Sequence, residues 1–177
     1  MTFNTVAQFK NIDVWKKLKD LFADTNNVMV AHNSMFDMAM LRKEDIHPQK
    51  TICTYKMARF LDKEGQIPQY NLQYLRYYLN LNIDASPHDA LGDIMVLEAL
   101  FYRIHAKAKD EFGTELIDKM IEVTKNPVLS VKMPFGKHKG MRFDKIPGDY
   151  LHWLSETDLD EDMAYTVKHH LGILPPS

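Results

Sequence analysis

Two short segments of this 177-residue chain carry side chains that could do chemistry together: 32–37, which ends in Asp37, and 88–93, which runs from His88 to Asp93. Carboxylate oxygens are hard ligands that favour magnesium or manganese. An imidazole can take a proton from water near neutral pH. Together they suit hydrolysis assisted by divalent cations, provided that they converge. His88 lies five residues before Asp93. Five helical residues rotate by about 500°, leaving the two side chains roughly 140° apart. They can meet only if His88 sits in a loop ahead of the helix, and Ser86 with Pro87 supplies one. Cys53 is the only cysteine, so an internal disulfide or a cysteine-rich zinc site is excluded and a reducing compartment is expected. Any metal must be held mainly by carboxylates.

The elements that would position these groups follow from periodicity. Asn11 is a helix cap, followed by Val14, Trp15, Leu18, Leu21 and Phe22 at helical spacing, which predicts a helix over 12–22. Residues 28–31 are apolar throughout, as in a buried parallel strand. Asp37 falls just beyond that strand's carboxyl end, where open sheets place ligands. A helix carrying Met35, Met38, Met40 and Leu41 comes next, then a strand over 51–53 and a helix through Met57 and Phe60. Asn71 caps a helix with Leu72, Leu75, Tyr78 and Leu79. A longer helix over 89–106 carries Leu91, Ile94, Leu97, Phe101 and Ile104 as its apolar stripe. One further helix is expected over 111–125. Residues 129–135 read as extended, 136–140 as a glycine-flanked turn, and 150–154 and 162–171 as short helices. Strands alternating with helices indicate an α/β fold.

Composition restricts the setting. The apolar content of 45% suits a packed core, and no run reaches the length of a membrane span. Residues 1–11 lack the basic start and apolar run of a signal peptide, so a soluble cytoplasmic protein is expected. The net charge of −2 does not announce a nucleic-acid partner. Its distribution says more: 128–147 holds Lys132, Lys137, Lys139, Arg142 and Lys145 against Asp144, a local net of +4, and 156–162 is acidic.

Asn33 to Asp37 match the pattern N-x-x-F-D and His88 to Asp93 match H-x-A-x-x-D. Together with the intervening 52–59 segment they resemble the second and third motifs of the DEDDh 3′-5′ exonucleases. The pattern over 135–140 and 149–154 is most similar to the exodeoxyribonuclease X group within that family, and the similarity runs over about 28–171. The resemblance implies a ribonuclease H-like core and a two-metal site with Mg2+ or Mn2+, in which Asp37 and Asp93 are metal ligands and His88 is the general base. It also implies a substrate of single-stranded or 3′-ended DNA, with RNA as an alternative, cut to nucleoside monophosphates. The family's first motif, Asp-x-Glu on an N-terminal strand, has no counterpart here. The core is therefore expected to lack its N-terminal strands and the activity to be impaired. An exposed sheet edge and an uncovered apolar face would follow, open to pairing with another chain.

The expected organisation is an exonuclease-like core over 1–109, a helical connector over 110–127 and a small basic α+β module over 128–177. Asn33 and Phe36 are candidate substrate contacts, with helix capping as the plainer role of Asn33. Lys137 and Lys139 could grip phosphates or be solvated turn residues. His32 reads as a packed histidine, Asp89 as a helix-start residue, and Met35, Met38 and Met40 as core filler. Tyr70, Tyr74, Tyr77 and Tyr78 could stack bases but fit core and boundary packing better. The alternatives to a nuclease are a non-catalytic nucleic-acid-binding or protein-interaction relative, and one part of a split exonuclease.

Overall fold

A computed structural model describes residues 13–83 and 89–173. Asn11, the expected cap of the first helix, lies outside them, as do Ser86, Pro87 and His88. Helix α1 (Asp13–Ala23) leads to strand β1 (Met29–Ala31) and helix α2 (Ser34–Lys43). Strand β2 (Thr51–Cys53) runs directly into α3 (Thr54–Leu61), and α4 (Leu72–Tyr78) is followed by the long α5 (Ala90–Phe112). After α6 (Leu116–Lys125) come α7 (Gly148–Ser155) and α8 (Glu161–His170). The described residues are therefore mostly helical, with one small parallel sheet.

β1 and β2 pair in parallel, Met29 with Thr51, Val30 with Ile52 and Ala31 with Cys53. Parallel strands need a crossover, which α2 provides. The outer side of β2 is capped from α6, where the Thr124 hydroxyl accepts from the Cys53 amide at 2.8 Å. The main core gathers Ile52, Met57, Leu61, Leu75, Leu100 and Ile104 with Leu116, Met120 and Ile121. Thus α6, within the 110–127 segment, contributes Leu116, Met120 and Ile121 to this core. No described helix is long and apolar enough to cross a membrane.

Four expectations are corrected. The 111–125 helix is broken: Gly113 adopts a positive φ of 57° and ends α5, and a 3-10 turn (Gly113–Glu115) re-aims the chain into α6. Glycine takes that backbone region without a steric penalty, so the chain can bend there. On α5 the buried stripe is Gly92, Val96, Leu100, Ile104 and Ala108; of the expected set Ile104 is buried and Phe101 packs on the core, whereas Leu91 and Ile94 are 65% and 60% exposed. Apolar residues occupy more than half of the turn, so spacing alone admits two stripes, and packing against α3, α4 and α6 selects the second. Met35 and Met40 are exposed rather than core filler, because α2 buries only Ser34. Residues 129–135 form no strand, and only an antiparallel bridge joins Lys132 to Arg142.

A second core, Met133, Phe143, Ile146, Leu151, Leu154, Met163 and Val167, organises the C-terminal module. A buried ionic cluster fastens the module to the main core. Asp162, the start of the helix expected over 162–171, lies in the first turn of α8 and accepts from Arg59 and from the Val128 amide at 3.0 Å. Lys56 approaches it at 3.6 Å and donates to the Thr124 and Asn126 carbonyls. Arg59 also donates to the Val128 carbonyl and the Ser130 hydroxyl. Burial of these charges is tolerable because each is paired and hydrogen-bonded.

Candidate active site

Asp37 and Asp93, 56 positions apart in the chain, line one open cleft of about 480 Å³. Its floor is β1, and its walls come from Phe22 of α1, Met40 and Leu41 of α2, Leu72 of α4, and Ile94 and Leu97 of α5. Each carboxylate is brought there by the start of a helix. β1 ends at Ala31, Asn33 takes the left-handed region at φ 62° and ψ 53°, and α2 begins, which puts Asp37 in its first turn. Asn33 makes no side-chain cap; its contribution is the sharp reversal, and its carbonyl accepts from the Phe36 amide at 3.1 Å. Asparagine is among the few residues that enter this region at modest cost.

Asp93 sits in the first turn of α5, whose cap is Asp89 accepting from the Gly92 amide at 3.0 Å. That is the helix-start role expected of Asp89. Gln73 of α4 donates to Asp93 at 2.5 Å and fixes one carboxylate oxygen. Asn71 caps α4 as expected, accepting from the Tyr74 amide at 2.8 Å, and so sets the angle from which Gln73 reaches α5. Both Asp37 and Asp93 are half-buried.

His32 lines the same cleft and is held on both sides. Nε2 donates to the Tyr70 carbonyl at 2.7 Å, and Nδ1 lies 2.9 Å from the Thr54 hydroxyl, which is also within 3.2 Å of the Ala31 carbonyl. A carbonyl only accepts, so this network places the proton on Nε2. The Tyr55 ring packs edge-on at 5.7 Å. Burial pushes the imidazole pKa below its ordinary value of 6.5, with the Tyr70 carbonyl and the Asp37 charge acting against it. His32 is thus a packed wall residue. Asp62 organises the loop that brings Tyr70 to it, accepting from the Gln66 and Ile67 amides and the Tyr70 hydroxyl, each at 2.8 Å.

The residues proposed from sequence divide clearly. Asp37 and Asp93 come together; Asn33 and Phe36 flank the cleft without lining it, and Phe36 is 68% exposed. His88 lies outside the described residues. Lys137 and Lys139 stand on the C-terminal module in the turn at 136–140. Tyr77 and Tyr78 are exposed rather than packed, while Tyr74 stacks on Tyr78 at 5.8 Å. Gln73, Thr54 and Tyr70 were not legible as site residues, since a glutamine on a short helix or a tyrosine carbonyl carries no signal of its own. Among the described residues no group of three or more His, Cys, Asp and Glu could hold a metal. Carboxylates are hard oxygen donors, and two metal ions together need more of them than the two that line this cleft.

No curated protein and no solved structure matches the chain. Residues 122–162 match the model of a family described as "Putative quorum-sensing-regulated virulence factor". That match covers the end of α6 and most of the C-terminal module. A second family model, described as a 3′-5′ exonuclease, matches residues 2–97, more than half of the chain and the whole span from α1 through Asp37 to Asp93. With the two acidic segments inside that match and their carboxylates in one cleft, the chain belongs to the 3′-5′ exonuclease family.

Proposed function

We propose that the chain is a DEDDh-type exonuclease on DNA, similar to the exodeoxyribonuclease X group, with a ribonuclease H-like core. It would release nucleoside monophosphates from a 3′ end. The observation that carries this reading is the shared cleft of Asp37 and Asp93. In it, Asp37 and Asp93 are two ligands of Mg2+ or Mn2+, Gln73 holds the Asp93 carboxylate in place, and His88 removes the proton of the attacking water. A bound divalent cation would neutralise phosphate charge and lower the pKa of water. Asn33 and Phe36, beside the cleft, contact the terminal nucleotide, and Lys137 and Lys139 hold phosphates further along the strand.

We also infer that the chain by itself turns over slowly or not at all. Two carboxylates supply too little negative charge for two divalent cations, and the described residues contain no third in the cleft. The remaining carboxylates would come from an Asp-x-Glu strand in the family's manner, seated against β1. Among the described residues β1 has a strand partner on one side only. The test is to fuse such a strand ahead of the chain and follow a 5′-labelled single strand with Mg2+ or Mn2+. Stepwise shortening from the 3′ end, abolished by Asp93→Asn, is expected. Internal cutting, or shortening that survives Asp93→Asn, would overturn the reading. A completed chain that binds DNA without cutting it would favour the non-catalytic relative.

A further inference from the structure

A second cavity, with a lining distinct from that of the carboxylate cleft, lies between the main core and the C-terminal module, with a volume of about 640 Å³. We propose that this groove holds single-stranded nucleic acid. The proposal rests on the nuclease reading for its choice of partner, though its test needs no cleavage.

The groove is a built feature. One wall is the 65–70 loop tied down by Asp62, and the other is the 129–134 segment fastened through Arg59 to Ser130 and Val128. The walls meet at Gly65, where φ is +63° and a Cβ would fall 2.8 Å from Val131 Cγ1. Only glycine lets the loop approach so closely. Its charge is one-sided. Lys132 and Lys139 line it, both exposed and without a carboxylate partner among the described residues. Asp160 is its one carboxylate, and that group is committed to capping α8 at the Met163 amide.

Aromatic rings are present as well, with the Arg59 guanidinium over the Tyr55 ring at 5.5 Å. Tyr55 and Tyr70 line the groove, edge to face at 6.2 Å. Cations and aromatic rings along one groove are what sequence-independent strand binding uses, the cations for phosphates and the rings for bases. The groove also adjoins the cleft, because His32, a cleft residue, packs on Tyr55 and bonds to the Tyr70 carbonyl. A strand whose end lies at Asp37 and Asp93 therefore has a cationic path onto the C-terminal module.

Lysine footprinting tests this on the full chain. The protein is acylated with and without saturating oligothymidylate of about 12 nucleotides, within the usual site size, and each lysine is read by mass spectrometry. Lys132 and Lys139 should lose reactivity at least several-fold, while Lys16 and Lys17 on α1 should not change. Lys132→Gln should flatten the log-log salt dependence of binding by roughly 0.7, the value for one phosphate. Protection should persist in Asp93→Asn. Unchanged Lys132 reactivity at saturation, absence of binding at low salt, or equal protection by thymidine monophosphate alone would overturn the groove. The nuclease reading is judged separately: 3′ release without Lys132 protection keeps it and removes the groove, and protection without release does the reverse.

Discussion

At the residue scale, the candidate site is a cleft lined by two carboxylates and by neighbours that have no catalytic signature. That Asp37 and Asp93 stand at helix starts was legible because each lies in a short acidic pattern there. The hydrogen bond from Gln73 to Asp93 and the hold on His32 were not, since both depend on which helices and loops become neighbours. His32 offers a direct check. Its folded-state pKa is lowered, so between that value and 6.5 the unfolded chain binds more protons and stability rises with pH; protonating the ring costs stability as pH falls through this window. Titration of the ring by NMR should give a midpoint below 6.5. Asp37→Asn should move it lower still by removing an attractive charge. A wild-type midpoint at or above 6.5 would mean that the ring is not desolvated as described. For His88 the expectation is kinetic: in a chain completed by an Asp-x-Glu strand, His88→Ala should slow release by roughly 10²- to 10⁴-fold with little change in DNA binding. An unchanged rate would remove His88 as the base.

At the scale of elements, helices with caps were readable and helices competing for a face were not. Asn71 and Asp89 mark the starts of α4 and α5 as their types suggest. The rotation of α5 was hidden because Leu91 and Ile94, and equally Val96 and Leu100, have helical spacing, and only the neighbours decide between them. The exposed apolar set at the cleft side of α5 and α2 is the physical residue of that choice. Asp162 shows the same limit from the other direction: a charge in an acidic run reads as solvated, yet here it is buried against Arg59 and Lys56 from a helix more than 100 positions away. Asp162→Ala would strand two buried cations and should destabilise by roughly 3–5 kcal/mol. Asp160→Ala, which removes only the α8 cap, should cost about 1 kcal/mol. Urea unfolding of the two variants separates them, and equal losses would contradict a buried ionic joint.

At the scale of the whole molecule, a helix-rich core with a two-stranded parallel sheet is joined to a module with its own apolar centre, and the cationic turn at 136–140 belongs to the module. Neutralising Lys137 and Lys139 together should flatten the salt dependence of oligonucleotide binding by about 0.7 for each phosphate that these lysines engage. An unchanged slope would leave them as solvated turn residues. The joint between core and module was illegible in the sequence because its members, Lys56, Arg59 and Asp162, look like ordinary surface charges until the two parts meet. What brings the molecule's purpose into focus is still the meeting of Asp37 and Asp93, and paramagnetic Mn2+ tests it without requiring turnover. Added to the labelled chain, Mn2+ should broaden NMR signals around Asp37 and Asp93 first, reversibly on chelation, and either Asp37→Asn or Asp93→Asn should abolish the effect. Broadening centred instead on the acidic 156–162 segment, indifferent to both substitutions, would contradict a shared cation site in the cleft.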